Sequence, residues 1–379
     1  MIPVAQALDH LFDLVQPLPV ESVPLRRAHG RVLAETVLAQ RTQPPFAASA
    51  MDGYAVKSAE VETDALFKVI GESAAGHGFA GTVGAGQAVR IFTGAPVPDG
   101  ADFVVIQEDV TRRGSLITLN HGVGSAPNIR PAGTDFTAGT PLSAPRRLSA
   151  GDVALLAAMN VAQVPVTRAP VVALISTGDE LVMPGEEPGD DQIIMSNTFG
   201  LAALLEGLGA VPRILPIARD TPAALRQVLT LATGADLIVT IGGASVGDHD
   251  LVADVAAEMG MRQSFYKVAM RPGKPLMAGM LAGVPMIGLP GNPVSAMVCG
   301  TVFLTPVIRA MQGLGRAPAP RRQLPLVTPL EANGPREHYM RAVVDVDGCG
   351  AAGQFVAERS GHFERADRAP AGRSGAGGG

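Results

Sequence analysis

Residues 237–250 read LIVTIGGASVGDHD. An almost wholly apolar run, 237–241, leads into a glycine turn, and the stretch ends on acidic residues. An apolar run of this length followed by glycine is typical of a strand that is buried on both faces of a sheet. Glycine lets backbone N–H groups approach an anion, while Asp248 and Asp250 offer the oxygen ligands that a hard metal ion prefers. The stretch therefore predicts a buried strand whose end holds phosphate beside a cation.

The same order of strand, glycine loop and helix repeats between residues 171 and 311. The predicted strands are Val171–Ser176, Ile214–Ile217, Leu237–Ile241, Phe265–Val268 and Met286–Leu289. The predicted helices are Asn197–Leu208, Pro222–Ala232, Leu251–Met259 and Val294–Met311. This alternation indicates a parallel sheet with helices on both faces, which binds ligands at the carboxyl ends of its strands.

The rest of the chain carries different patterns. Apolar residues recur at helical spacing over residues 4–15, and Ser149 is suited to cap a second helix. Short β-like runs at 67–70, 88–92, 103–106 and 116–119 are separated by glycine-rich turns. We therefore predict a multidomain α/β plus β fold. Its parts are a discontinuous helical linker domain (1–41 and 141–168), a β-rich inserted domain (42–140), an α/β domain (169–315), a C-terminal β domain with strands at 324–327 and 339–346 (316–365), and a disordered tail (366–379).

Charge and composition exclude several classes of protein. The net charge of −5, without a basic block, argues against sequence-independent binding to nucleic acid. Cys299 and Cys349 form no C-x-x-C pair, and the seven histidines lack the spacing of a zinc site. The longest apolar run, Val294–Ile308, is shorter than the roughly 18 residues that a membrane span needs. We predict a soluble, cytoplasmic protein that binds neither nucleic acid nor membrane.

Three loops follow predicted strands and would open on one edge of the sheet: Ser176–Glu180, Gly242–Asp250 and Leu289–Ser295. Together they supply glycine amides, hydroxyl groups and carboxylates. Each loop alone is explained equally well as a tight turn in which Asp or Ser caps the next helix. Their shared position favours a ligand site. The segment Lys267–Lys274 carries three cations but does not match the Walker A motif. The three side chains are either a solvated cluster or directed at the same edge of the sheet as the loops.

Taken in order, these motifs resemble the molybdopterin molybdenumtransferases, the family of bacterial MoeA and of the E domain of gephyrin. The resemblance rests on Met51–Ala55, Thr93–Ala95, Gly100–Asp102, Asn128–Arg130, Ser176–Leu181, Gly242–Asp250, Pro272–Pro275, Gly288–Ser295 and Tyr339–Arg341. It implies a Mg²⁺-dependent reaction in which adenylylated molybdopterin is opened at its phosphoanhydride, molybdate enters the dithiolene and AMP leaves. It also implies a homodimer whose subunits share the active site, with contacts to molybdopterin adenylyltransferase and to molybdoenzymes.

The resemblance assigns roles to individual residues. The catalytic carboxylates would be Asp52, Asp135, Asp220 and Asp250, with Asp220 and Asp250 nearest the metal ion. The substrate-binding residues would be Thr93, Gly94, Ser176, Thr177, Asp179, Glu180, Gly242, Gly243, Ser245, Gly247, Lys267, Arg271, Lys274, Pro290, Asn292, Pro293 and Ser295. Some positions depart from the family pattern. Met195 stands where aspartate is usual, Arg271 stands where lysine is frequent, and the chain turns arginine- and glycine-rich from Phe363.

Two other functions stay open at this point. Molybdopterin adenylyltransferases share the α/β domain but normally lack the β-rich insert that carries Asp52 and Asp135. A gephyrin-like scaffold that had given up catalysis would be expected to lose its carboxylates, whereas this chain retains them. The resemblance therefore favours molybdenum insertion.

Overall fold

The computed structural model describes residues 1–243, 251–325, 334–345 and 348–356. The chain forms two compact units: unit 1 combines Met1–Glu21 with the chain from Thr167 onward, and unit 2 is Ser22–Val166. The predicted tail at 366–379 and the loop residues 244–250 lie outside the described residues. The finer division into five parts stays a prediction.

The chain begins with a helix and then forms mostly short strands. The helix is α1 (Val4–Leu14), and the strands are β1 (Val20–Pro24), β2 (Val32–Leu33), β3 (Val37–Leu38), β4 (Ala48–Ser49), β5 (Gly53–Val56), β6 (Leu66–Ser73), β7 (Gln87–Ile91), β8 (Phe103–Ile106), β9 (Val110–Arg113), β10 (Leu116–Leu119), β11 (Ile129–Arg130), β12 (Pro141–Leu142) and β13 (Arg146–Arg147). The β-like runs of the sequence fall on β6, β7, β8 and β10, which share a sheet of order β8-β5-β7-β6-β10-β9. The β-rich character predicted for this part of the chain is confirmed.

Helix α2 (Ala150–Ala158) and strand β14 (Gln163–Thr167) complete this region, with β14 in a sheet of order β1-β14-β2-β13. Ser149 caps α2 as predicted. The Ser149 hydroxyl accepts the N–H of Asp152 at 3.2 Å, and Asp152 Oδ2 accepts the N–H of Ser149 at 2.8 Å. This reciprocal pair satisfies donors that a helix end otherwise leaves unpaired.

Unit 1 contains the alternation that the sequence predicts. Its elements are β15 (Val171–Ser176), β16 (Leu181–Val182), β17 (Ile193–Ile194), α3 (Asn197–Gly207), β18 (Val211–Ile214), α4 (Pro222–Leu231), β19 (Leu237–Ile241), α5 (Leu251–Glu258), β20 (Arg262–Tyr266), β21 (Met270–Arg271), β22 (Met277–Leu281), β23 (Val284–Leu289), α6 (Pro293–Cys299), α7 (Thr305–Met311), β24 (Glu337–His338), β25 (Arg341–Asp345) and β26 (Gly348–Val356). The main sheet has the order β18-β15-β19-β23-β22-β20.

The main sheet is mixed, although the sequence predicts a parallel one. Strands β18, β15, β19 and β23 run parallel, whereas β22 pairs antiparallel with both β23 and β20. The hairpin between β22 and β23 turns at Ala282 and Gly283, whose φ angles are 48° and 83°. Two positive φ angles suit the tight turn that joins antiparallel strands. Strand β18 also lies earlier than predicted, since its ladder with β15 covers Val211–Ile214.

Both faces of the sheet are covered, as predicted. Alternate residues of β19 enter different cores: Val239 belongs to a cluster with α3, α6 and α7, and Ile238 to one with α4 and α5. Helix α1 joins the first cluster through a buried face that includes Leu8, Leu11 and Phe12. The sequence predicts α1 as part of the helical linker domain. In the structure α1 belongs to unit 1, where this apolar face completes the core under the sheet.

A continuous helical stretch runs from Pro293 to Met311, with a π-helical segment at Gly300–Leu304 between α6 and α7. Its 19 residues are long and apolar enough to cross a membrane, whereas the apolar run in the sequence, Val294–Ile308, is shorter than a span. However, 83% of its most apolar window is buried inside the protein. The stretch is therefore a core helix of unit 1.

The C-terminal strands are only partly within the described chain. Strand β25 confirms much of the strand predicted at 339–346 and pairs antiparallel with β26. Leu324 and Pro325 lie in no strand, and the rest of the strand predicted at 324–327 lies outside the described residues.

Candidate functional site

A cavity of about 610 Å³ opens where the strand order of the main sheet reverses. The chain leaves β15 through α3 to reach β18, and then crosses back through α4 to β19 on the other side of β15. Such reversal points form crevices at the carboxyl ends of strands. The lining residues are Ser176, Thr177, Gly178, Glu180, Leu181, Ile193, Ile194, Met195, Ser196, Asn197, Asp220, Ile241, Gly242, Gly243, Leu251, Gly291 and Pro293.

The cavity brings together several residues predicted from separate loops: Ser176, Thr177, Glu180, Asp220, Gly242, Gly243 and Pro293. Ser245, Gly247, Asp248 and Asp250 lie outside the described residues. The structure therefore supports a common site for the loops after β15 and β19. The assignment of Asp250 to the metal stays a prediction.

The turn after β19 requires glycine. Gly242 and Gly243 have φ angles of 95° and 66°, a region that side chains disfavour. A Cβ on Gly242 would lie 2.8 Å from the carbonyl oxygen of Thr177, and a Cβ on Gly291 would lie 3.2 Å from Gly242 Cα. Three strand-end loops thus approach one another at backbone distance.

Hydroxyl groups line the floor of the cavity. Ser176 Oγ is hydrogen-bonded to Thr198 Oγ1, and both side chains are buried. Thr177 Oγ1 is also buried, but it has no hydrogen-bond partner within the part of the chain that the structure describes. A buried hydroxyl without a partner is costly, so a ligand that bonded to Thr177 would remove that cost.

Acidic residues form one edge of the cavity. Asp220 Oδ2 accepts the N–H of Asp179 at 3.3 Å, and Asp179 Oδ1 accepts the N–H of Asp220 at 3.1 Å. Beside them, Arg219 Nη1 donates to the carbonyl oxygens of Gly178, Asp179 and Leu181. Two loops that are distant in sequence are therefore joined through side chains as well as backbone.

The loop after β23 serves partly as a helix cap. Asn292 Oδ1 accepts the N–H of Ser295 at 3.2 Å at the start of α6. Asn197 Nδ2 donates to the carbonyl oxygen of Gly291 at 2.7 Å, which ties this loop to the start of α3. Pro290 is buried, and Pro293 reaches the cavity wall.

The predicted cations lie in a different loop and do not line the cavity that the described residues form. Lys267 has a φ angle of 72°, and its Nζ lies 4.7 Å from the centre of the Tyr266 ring. The N–H of Val268 donates to the carbonyl oxygen of Lys274, and Arg271 lies in β21, which pairs with β24. Their role in binding anions stays a prediction.

In unit 2, Asp52 and Thr93 join the loop before β5 to the loop after β7. Asp52 Oδ1 accepts both the N–H and the hydroxyl of Thr93, each at 2.8 Å. These hydrogen bonds, the backbone one first, hold the pKa of Asp52 below its usual value, with a smaller contribution from the charge of Arg90. Gly94 follows Thr93 in the loop after β7 and donates its N–H to the carbonyl oxygen of Ser49 at 2.8 Å. The hydrogen bonds from Thr93 therefore favour the ionised form of Asp52.

Arg90 lies near Asp52, and Arg130 lies beside Asp135. The Arg90 guanidinium lies 5.0 Å from the centre of the Tyr54 ring and 4.8 Å from that of Phe92. Arg130 Nη2 forms an exposed ion pair with Asp135 Oδ1 at 2.7 Å. The structure thus gives Asp52 and Asp135 well-defined partners inside unit 2.

The donor set of the cavity limits which metal ion it could hold. Among the described residues no group of three or more His, Cys, Asp or Glu side chains has the geometry of a metal site. The cavity does contain the carboxylates of Glu180 and Asp220. Mg²⁺ is usually held by one or two carboxylates together with water and phosphate oxygens. The described residues therefore fit Mg²⁺ bound with a phosphorylated substrate.

Sequence reasoning missed several residues of the site. Arg219 and Thr198 act through backbone carbonyls and a buried hydroxyl, and no sequence motif signals such contacts. Ile193 and Ile194 form an exposed apolar wall of the cavity. Their signal was an apolar pair within a polar stretch.

Comparisons with known proteins give a consistent result. A model described as the MoeA N-terminal region (domain I and II) matches residues 2–160, and one described as a probable molybdopterin binding domain matches residues 173–310. A molybdopterin molybdenumtransferase of Nostoc sp. is 38% identical over 330 residues, which cover 83% of this chain and 76% of the relative. One from Haemophilus influenzae is 36% identical over 317 residues, which cover 83% and 78%. A solved structure of a molybdopterin biosynthesis MoeA protein from Pyrococcus horikoshii has a TM-score of 0.75 at 29% identity, covering 93% of this chain and 90% of that one.

Proposed function

The chain belongs to the molybdopterin molybdenumtransferase family, and from that premise we propose that the cavity at the ends of β15 and β19 is where molybdenum enters the cofactor. The protein is an enzyme of molybdenum cofactor biosynthesis, as predicted. One observation carries the proposed location. The buried Thr177 hydroxyl lies beside Gly242 and Gly243 at the cavity wall, with no partner among the described residues.

The substrate that we propose is adenylylated molybdopterin. In the overall reaction, water cleaves a P–O bond of the phosphoanhydride and AMP leaves. Molybdate binds the two dithiolene sulfur atoms, and two of its oxygen atoms leave as water with the two thiol protons and two protons from solvent. The glycine turn after β19 would accept phosphate close to the backbone, and Thr177 would bond to a phosphate oxygen. Ser176 and Thr198 would keep the adjoining wall in place through their buried hydrogen bond.

Asp220 would hold Mg²⁺, together with Asp250 by its motif position, and Glu180 lies in the same cavity. Bound there, Mg²⁺ would offset the negative charge that develops as the P–O bond breaks. The chain itself positions Asp220 through the hydrogen bonds exchanged with Asp179. Molybdate, an anion, would bind at amides or at the cations Lys267, Arg271 and Lys274.

We further propose that the enzyme is a cytoplasmic homodimer. By their motif positions, Asp52 and Asp135 of one subunit would complete the active site of the other. Molybdopterin adenylyltransferase and recipient molybdoenzymes are the proposed protein partners. Sedimentation of the purified protein tests the dimer, since a monomer at the concentrations of the assay would contradict it.

The function is tested by incubating the purified protein with adenylylated molybdopterin, Mg²⁺ and molybdate. We expect AMP release and formation of active molybdenum cofactor, both dependent on Mg²⁺. The Asp250→Ala variant should be folded but inactive. Absence of both products with a competent substrate would contradict the proposal. Formation of adenylylated molybdopterin from ATP and molybdopterin would favour the adenylyltransferase alternative instead.

A further inference from the structure

Arg219 makes an unusual set of contacts at the acidic edge of the cavity. In the part of the chain that the structure describes, its Nη1 donates to the carbonyl oxygens of Gly178 at 3.3 Å, Asp179 at 3.0 Å and Leu181 at 3.1 Å. Gly178 and Asp179 belong to the loop after β15, which supplies Thr177, Gly178 and Glu180 to the cavity wall, and Leu181 is the first residue of β16. A single nitrogen atom of Arg219 therefore holds the backbone of that loop at successive points.

The backbone around Arg219 joins the same two segments. The N–H of Ala218 donates to the carbonyl oxygen of Ser176 at 2.9 Å, and the N–H of Gly178 donates to that of Ala218 at 3.1 Å. Further along both segments, Asp179 and Asp220 form the two reciprocal hydrogen bonds described above. The positions of Glu180 and Asp220 are thus set by one hydrogen-bonded assembly, in which Arg219 supplies the positive charge.

The charge of Arg219 suits this place. Asp179, Glu180 and Asp220 are acidic and lie within the two joined segments, so they repel one another and would repel a polyanionic substrate. A guanidinium group bonded to adjacent carbonyl oxygens offsets that repulsion through charge-assisted hydrogen bonds. Arg219 is itself exposed, so its contacts contribute little to the stability of the core.

We propose that Arg219 is a positioning residue for molybdenum insertion: it fixes the loop after β15 and thereby the spacing between Glu180 and Asp220. The inference rests on the proposed location of the reaction. Arg219 is not among the described residues that line the cavity, and it acts through the loop. Its loss should therefore lower kcat more than it raises KM, because the carboxylates that would hold Mg²⁺ during P–O cleavage would be displaced.

The test compares Arg219→Met and Arg219→Lys with Arg213→Met. Arg213 is a matched control, because its Nη2 also donates to carbonyl oxygens, those of Leu231 and Thr233, both at 2.9 Å. Leu231 is the last residue of α4 and Thr233 follows it closely. Neither Leu231 nor Thr233 lines the cavity. The measurements are kcat and KM for cofactor formation, and hydrogen exchange of the amides of residues 177–181.

For Arg219→Met we expect kcat to fall by about tenfold to a hundredfold, the cost of a misplacement near 1 Å. Exchange of the 177–181 amides should become at least about tenfold faster, as expected when roughly 1.4 kcal/mol of protection is lost. Arg219→Lys should recover much of both properties, since an ammonium group carries three donors on one nitrogen atom. Arg213→Met should leave both measurements unchanged.

Unchanged exchange in Arg219→Met would overturn the inference whatever the activity. So would an effect no larger than that of Arg213→Met, or a lysine variant no better than the methionine one. Should Arg219→Met fail to fold, Arg219→Gln replaces it in the same comparison. Lack of activity in the unmodified enzyme would instead contradict the proposed function, and the exchange measurement would still decide the role of Arg219.

Discussion

Asp52 of unit 2 and Asp220 of unit 1 are both proposed catalytic carboxylates, but they are held in different ways. Asp52 receives its hydrogen bonds from a neutral residue, since the N–H and the hydroxyl of Thr93 both donate to Oδ1. Asp220 exchanges hydrogen bonds with another acid, Asp179, and a guanidinium group holds the adjoining carbonyl oxygens. One acid is fixed by two hydrogen bonds from a single neutral residue, and the other by a network of charges.

The difference predicts where each region is vulnerable. The hydrogen bonds to Asp52 come from few groups, so a change to one of them should alter the ionisation of Asp52 and leave the surroundings intact. The edge around Asp220 depends on several charged groups that compensate one another. Removing one of them should therefore disturb binding, catalysis and local structure together.

Asp220→Asn should have the largest effect. Asparagine keeps the size of the side chain and can still accept the N–H of Asp179, but it removes the charge that would hold Mg²⁺. We expect cofactor formation to fall on the order of a hundredfold to a thousandfold, with the melting temperature nearly unchanged. Glu258→Gln, at an exposed acid paired with Arg226, is the charge-matched control and should retain full activity. Comparable activity in the two variants would remove Asp220 from the mechanism.

Gly242→Ala should have a smaller but clear effect on stability. Both Gly242 and Gly234 have positive φ angles, 95° and 79°, but only the Cβ at Gly242 would meet neighbouring atoms, with Thr177 O at 2.8 Å. We expect Gly242→Ala to lower the free energy of unfolding by about 2–4 kcal/mol and Gly234→Ala by about 1–2 kcal/mol. Urea denaturation of both variants measures the difference. Equal losses would mean that the close approach of the loops does not constrain this turn.

Thr93→Val should have the smallest effect, because it removes only one of the hydrogen bonds to Asp52. The variant keeps the backbone N–H but loses the hydroxyl donor, so the pKa of Asp52 should rise towards its usual value. Because the pKa of Asp52 is lower in the folded protein than in the unfolded chain, where it is about 3.9, its ionisation stabilises the folded state at pH values above about 3.9. This contribution is lost as the pH falls through the pKa of the folded state. The variant should therefore begin to lose that contribution at a higher pH. A carbon-13 NMR titration of the Asp52 carboxyl group checks the direction.

Thr111→Val is the control for this titration, because the Thr111 hydroxyl donates to Asn120 in the same unit at 2.8 Å. It should leave the Asp52 titration unchanged. If Thr93→Val also left it unchanged, the hydroxyl would contribute nothing to the ionisation of Asp52, and the contrast with Asp220 would be weaker.

The sequence predicts those parts of the fold whose signal is local. Leu237–Ile241 forms the predicted strand because an apolar run of that length can be buried only inside a covered sheet. Strand β22 escaped prediction because Met277–Leu281 gains its partners from the hairpin turn at Ala282 and Gly283, which carries no Asn-Gly or Asp-Gly signal. Helix α1 was predicted, but its partners were not, since they lie at the far end of the chain.

In the site, too, residues with a local sequence signal were predicted, and contacts without such a signal were not. Glycine and hydroxyl motifs at strand ends predicted Ser176, Thr177, Gly242 and Gly243 at one cavity, and the structure brings them together. The contacts of Arg219 could not be predicted, because its acceptors are backbone carbonyl oxygens that every residue carries. The loop that holds Lys267 depends on pairing with the N-terminal segment, which no pattern in residues 267–274 reveals.

The position of α1 has a consequence for biosynthesis on the ribosome. Unit 2 is contiguous in sequence, so it can fold as soon as residues 22–166 have emerged. Residues 1–21 are made before unit 2, whereas the partners that bury them are made after it: the N–H of Ile2 donates to Lys267 O, and that of Leu18 to Met311 O. The apolar face of α1 therefore lacks these partners while unit 2 is synthesised. Its burial is complete only when the helical stretch from Pro293 to Met311 has been made.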